Sequence, residues 1–173
     1  MMDIKAIGSK TDLLNSEYYS YIYDLINNEV VLQMQNYIQH GTTTCLQHCI
    51  NVSYYNYIIC KKLHLNCRDA ARAGLLHDLF LYDWHTDMNP THGFTHPKAA
   101  LKNAQIYFKL TEIEKDIIAK HMFPLTPYPP KYKETVVIVI VDKYCGLIET
   151  CESRIRRFTT LVRRLSKINK IKG

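Results

Sequence analysis

Six side chains carry most of the chemistry this sequence offers: His48, the adjacent pair His77-Asp78, His96, His121 and Asp142. An imidazole next to a carboxylate, at the end of the apolar run Gly74-Leu75-Leu76, is costly to bury unless something satisfies both groups. A divalent cation does this where further His and Asp donors lie elsewhere in the chain, as they do here. His48, His77, Asp78 and Asp142 make a mixed nitrogen and oxygen set suited to Fe, Mn, Co or Zn, with positions left open for water or substrate. Asp78 has two oxygens, so it can bridge to a second ion held by His96 and His121. Two ions roughly 3.5–4 Å apart can clamp a phosphoryl oxygen and activate water in line with it. His92 competes with His96 for that place, and the Pro97 that follows His96 favours the latter.

Such scattered donors meet only if helices carry them into one core, as in other dimetal bundles. Thr44-Cys45-Leu46-Gln47 has the form of a capping box and predicts a helix from Cys45 to about Leu63, with His48 on its apolar stripe. Asn66 or Arg68-Asp69 opens the next helix, whose small residues Ala70, Ala71, Ala73 and Gly74 allow close packing ahead of the His-Asp pair. From Tyr82 to Thr95 the periodicity breaks, giving a loop in which Trp84, His85 and His92 can line a pocket mouth. Pro97 suits the first turn of a helix reaching about Phe108. Thr111 to Glu114 is a second capping box, for a helix ending near His121. Pro124, Pro127, Pro129 and Pro130 then exclude regular structure.

Val136 to Val141 favours a strand by propensity. With no convincing partner strand the expectation is a buried helix over 134–150, with Asp142 in its middle. Upstream, the tyrosine-rich stretch 16–28 and residues 30–39 read as two helices. A last helix from about Ser153 sets Ile155, Phe158, Val162 and Leu165 against Arg156, Arg163, Arg164 and Lys167.

With these elements in place, His48…His77-Asp78…Asp142 resembles the HD superfamily of metal-dependent phosphohydrolases over about residues 44–150. Ala73-Gly74-Leu75-Leu76-His77-Asp78 and His96-Pro97-Lys98-Ala99-Ala100 are similar to its motifs, as is His121 after Ile117-Ile118-Ala119-Lys120. The resemblance implies an all-α helical bundle, hydrolysis of a nucleotide or another phosphoester, and two metal ions on His48, His77, Asp78, His96, His121 and Asp142. The same ligands serve a few diiron oxygenases of the family. A nucleotide-binding regulatory module is a further alternative. Two features depart from the family. Leu81 stands where many of these hydrolases carry a lysine, and Met122-Phe123-Pro124-Leu125 replaces the Gly-Tyr-Pro motif of the cyclic-di-GMP branch. Lys143, beside Asp142, is the nearest replacement cation, so Asp78 and Lys143 are the expected catalytic groups. Lys143, Arg154 and Arg157 are the expected phosphate contacts. Fe or Mn is favoured, with Zn, Co, Ni or Mg also compatible.

Length and composition agree with this. The chain has 173 residues, 47% of them hydrophobic and 22% charged, which suits one domain over 16–173 behind a flexible lead-in of 1–15. A net charge of +6 suits a phosphorylated small molecule; nucleic acid is not expected, and a homodimer is compatible. No secretory leader and no run of about 20 apolar residues is visible, so a cytoplasmic protein without a membrane span is expected. Six cysteines then read as reduced thiols, not as a disulfide framework. Cys45, His48 and Cys49 share a helix face, but no matching pair completes a zinc knuckle.

Overall fold

The structure, a computed structural model, describes Ala6, residues 16–86 and residues 91–171, with 161–171 described by backbone alone. The lead-in (Ala6 apart) and the side chains of the C-terminal stripe from 161 onward therefore lie outside the described residues. Seven α-helices and one two-stranded ribbon make up the described regular structure, with one 3-10 turn, so the fold is all-α as expected. No described helix is long and apolar enough to cross a membrane.

Helix α3 (Cys45–Lys62) is central and packs against α4 (Cys67–Leu76) and α7 (Lys133–Ile171). Thr44 caps α3 by accepting the Gln47 amide, and Asn66 caps α4 by accepting that of Asp69. Gly74 lets α3 and α4 approach closely. A Cβ there would lie 2.7 Å from Ser53 Cα, while the Ser53 hydroxyl donates to Ala71 O at 2.6 Å. Helix α1 (Glu17–Ile26) buries Tyr18, Ile22, Leu25 and Ile26 on this layer, and the Tyr18 hydroxyl reaches Ser53 Oγ at 2.9 Å. Helix α6 (Glu112–Lys120) starts with the full Thr111–Glu114 capping box. Arg72 of α4 ties α1 and α6 together through a bidentate pair with Asp24 and a 3.0 Å contact to Glu114.

Three boundaries differ from expectation. Residues 30–39 are not one helix. They form α2 (Glu29–Leu32), the 3-10 turn Gln33–Asn36 and strand β1 (Ile38–His40), which pairs with β2 (Thr43–Thr44). So short a stretch gains little as a helix, and the hairpin turns at Gly41 (φ 63). A Cβ on Gly41 would meet Ser153 of α7 at 2.4 Å, so the turn sits directly on that helix.

The second difference is α5 (His92–Tyr107), which begins at His92 and places Pro97 inside the helix. Contacts of His92 with the Tyr82 hydroxyl (3.0 Å) and the parallel Trp84 ring hold its start ahead of the proline. Third, Val136–Val141 is helical as expected but not buried throughout, since Val136 and Ile140 are exposed on the outer face. Helix α7 also runs on to Ile171 without a break near Ser153, where no Gly or Pro interrupts the sequence. The six cysteines are free, four of them buried.

Candidate metal centre

The six expected donors converge from five helices or their ends. His48 stands in the first turn of α3, His77 caps the C-terminus of α4 and Asp78 follows it. His96 lies in α5, His121 caps α6, and Asp142 faces inward from α7. All six are buried. His48 Nε2 lies 3.1 Å from Asp142 Oδ1 and 3.9 Å from Asp78 Oδ2. His77 Nε2 lies 3.4 Å from Asp78 Oδ2 and 3.6 Å from Asp142 Oδ1. On the other side, Asp78 Oδ1 is 3.3 Å from His96 Nε2 and 3.5 Å from His121 Nε2. Donors about 2.1 Å from one ion stand roughly 3.0–3.4 Å apart; the shorter of these separations match that, and the longest, 3.9 Å, exceeds it by about 0.5 Å.

The back of each ring settles its tautomer. His77 Nδ1 faces Gly74 O at 2.8 Å, His96 Nδ1 faces His92 O at 2.9 Å, and His121 Nδ1 faces Ile118 O at 2.9 Å. His48 Nδ1 faces Glu149 Oε2 at 2.9 Å. Carbonyl and carboxylate oxygens only accept, so each Nδ1 carries a proton and each Nε2 faces inward, the arrangement of metal-ligating histidine once Nε2 is deprotonated. His96 and His121 bring their Nε2 atoms within 2.9 Å of each other. A proton shared between the two nitrogens, or a cation between them, satisfies that pose. His77 Nε2 and Asp78 Oδ1 are also buried with no hydrogen-bond partner among the described residues. The donor set thus fits a divalent ion, and these groups could hold one.

The electrostatics carry the same demand for positive charge. Burial opposes ionisation of Asp78 and Asp142, yet the surrounding imidazoles hold both well below the usual carboxylate range. Against the same burial, Asp142 and Glu149 keep His48 well above its ordinary pKa, and Asp78 does so for His77. His121, buried and beside His77, is pushed down to about 3. Without an ion, protons on His48 and His77 balance the carboxylates; a bound cation would displace them.

A cavity of about 740 Å³ opens onto Asp78, His96, His121 and Asp142, a size that suits a small-molecule ligand. Trp84, stacked within 9° of the His92 ring, lines it, as do Met122 and Leu147. The His85 ring packs against Trp84 at a 31° tilt and is not among the residues lining the cavity. Lys143 lines it too, and its ammonium donates to Val139 O at 3.1 Å and His121 O at 3.4 Å. Arg154 and Arg157 are exposed further along α7 and are not among the lining residues. His92 lies one turn before His96, its ring stacked on that of His96, and binds the Tyr82 hydroxyl, so His96 is the donor that reaches Asp78.

Three further residues belong to the site. Gln39 donates to Asp78 Oδ2 at 2.5 Å, and the His40 ring packs edge-on against His48. Glu149 buttresses His48 from behind. Only Glu149 had a sequence signal, since it falls two helical turns after Asp142 on the same face. Compared with protein-family models, curated proteins and solved structures, the chain matches none.

Proposed function

We propose that this chain is a metal-dependent phosphohydrolase with two divalent ions, acting on a nucleotide or another phosphoester. The observation that supports the reading is the inward turn of four Nε2 atoms onto the two oxygens of Asp78 and one of Asp142. The HD-like order of these residues supports hydrolysis as the reaction. When bound, the ions would lower the pKa of water and polarise a phosphoryl oxygen. His48, His77, Asp142 and Asp78 Oδ2 would hold one ion, and His96, His121 and Asp78 Oδ1 the other. Lys143, which lines the cavity, would offset charge building on the phosphoryl oxygens. Trp84, Met122 and Leu147 supply an apolar wall for the rest of the substrate. Arg154 and Arg157 are not assigned a contact.

The test is phosphate release from a panel of nucleotides and phosphoesters by metal-stripped protein, before and after Mn²⁺ or Fe²⁺ is restored. Turnover should require metal and disappear in Asp78→Ala. Undiminished hydrolysis by the stripped protein would rule the reading out. Dioxygen uptake in place of phosphate release would point to the oxygenase chemistry that the same ligands permit.

A further inference from the structure

We propose that Glu149 sets the order in which the centre takes up its ions. The first enters among His48, His77, Asp78 and Asp142 and is retained, and the second, on His96 and His121, is exchangeable. This rests on the metal-binding reading above and adds to it an inequality between the two halves.

Three of the four imidazoles are backed by neutral backbone carbonyls, and His48 alone is backed by a carboxylate. Glu149 is 1% exposed, and both its oxygens are occupied: Oε2 by His48 Nδ1, Oε1 by Asn51 Nδ2 at 2.7 Å. Asn51 is in turn fixed by Gln47 Nε2, which donates to its Oδ1 at 2.9 Å. This relay holds a charge in the α3–α7 contact where an apolar pair would pack at no cost in desolvation. Its effect falls on His48. A carboxylate accepting Nδ1–H locks the ring and makes Nε2 a stronger donor.

The Asp142 carboxylate lies 3.1 and 3.6 Å from the two imidazoles of the His48–His77 half, which also has Asp78 Oδ2. The His96–His121 half has Asp78 Oδ1 at 3.3 and 3.5 Å and shares Asp142 only through the looser group of His77, His121 and Asp142. More negative charge and one strengthened imidazole place the tighter site at the Asp142 end.

Titrating metal-stripped protein with Co²⁺, followed by calorimetry and visible absorption, reads the two halves separately. Wild-type protein should bind in two steps, the first tighter. Glu149→Gln should weaken the tight step about 10–100-fold and leave the weak step within about threefold of wild type. Asn51→Ala, which removes one donor to Glu149 and leaves the carboxylate in place, should act in the same direction with a smaller effect, and it serves if Glu149→Gln does not fold. His96→Ala should abolish the weak step and spare the tight one. The proposal is overturned if Glu149→Gln leaves the tight step unchanged, or if His96→Ala removes it. Wild-type protein that takes up no Co²⁺ would instead defeat the metal reading itself.

Discussion

Stripping the metal should cost this protein a large part of its stability, and the structure says roughly how much. His77 Nε2 and Asp78 Oδ1 are buried without hydrogen-bond partners. Each such atom would cost about 1–3 kcal/mol if nothing met it, so with the imidazole–carboxylate contacts of 3.3–3.6 Å around them the pair costs at most about 2–6 kcal/mol. Mass action gives a second figure of the same size, since a ligand at a thousand times its Kd stabilises the fold by about 4 kcal/mol. For a chain of this length about 1 kcal/mol moves the midpoint by about 2–4 °C, so a shift of about 8–16 °C is expected. The assay is thermal unfolding followed by far-UV circular dichroism, in chelator and then in a large excess of Mn²⁺, Fe²⁺, Co²⁺ or Zn²⁺. Asp78→Asn removes the carboxylate common to both halves and should melt at a temperature that metal no longer moves. If none of these ions raises the wild-type midpoint by more than about 2 °C, the inward-facing donors are not a metal centre.

Two further perturbations probe the frame that holds the donors. Gly74→Ala puts a Cβ 2.7 Å from the Ser53 backbone. Separating α3 from α4 should cost about 1–3 kcal/mol and weaken metal binding as His48 and His77 part, and unchanged melting would contradict the packing described. Burial opposes ionisation of Asp116, but hydrogen bonds from Lys120, Thr135 and the Lys131 amide hold its pKa below the ordinary value. A depressed carboxyl adds stability above its unfolded pKa of about 3.9 and loses it as the pH falls through the folded value. Asp116→Asn should therefore flatten the acid limb of urea-unfolding stability, and an identical limb in both proteins would refute the assignment.

The parts legible in the sequence were those governed by local rules. Thr44 and Thr111 cap their helices where their spacing to Gln47 and Glu114 said they would. The valine-rich run 136–141 favoured a strand by propensity and folded as a helix, because no neighbouring strand could take its hydrogen bonds. What stayed hidden depends on distant partners. Arg72 finds Asp24 and Glu114 at separations of 48 and 42 residues, and no local pattern joins them. Gln39 reaches Asp78 from strand β1 of the hairpin, where the sequence predicts the end of a helix over 30–39. Charge alone marks Arg154 and Arg157 as phosphate contacts, and α7 carries them, exposed, past the residues that line the cavity.

Why the donors should be so well aimed without an ion follows from how helices end. The last carbonyls of an α-helix lack intrahelical donors. At the C-terminus of α4, Gly74 O is met by Nδ1 of the C-cap residue His77; at that of α6, Ile118 O is met by Nδ1 of the C-cap residue His121. One hydrogen bond thus does two jobs in each case. It satisfies a carbonyl the helix leaves open, and it fixes the ring with Nε2 facing the core. The orientation is set by backbone that would exist in any helix of this length, so it does not depend on the ligand it serves. Two rings held this way keep Nε2 beside the carboxylate oxygens of Asp78 and Asp142, the placement a divalent ion needs, whether a proton or a cation occupies the space between them.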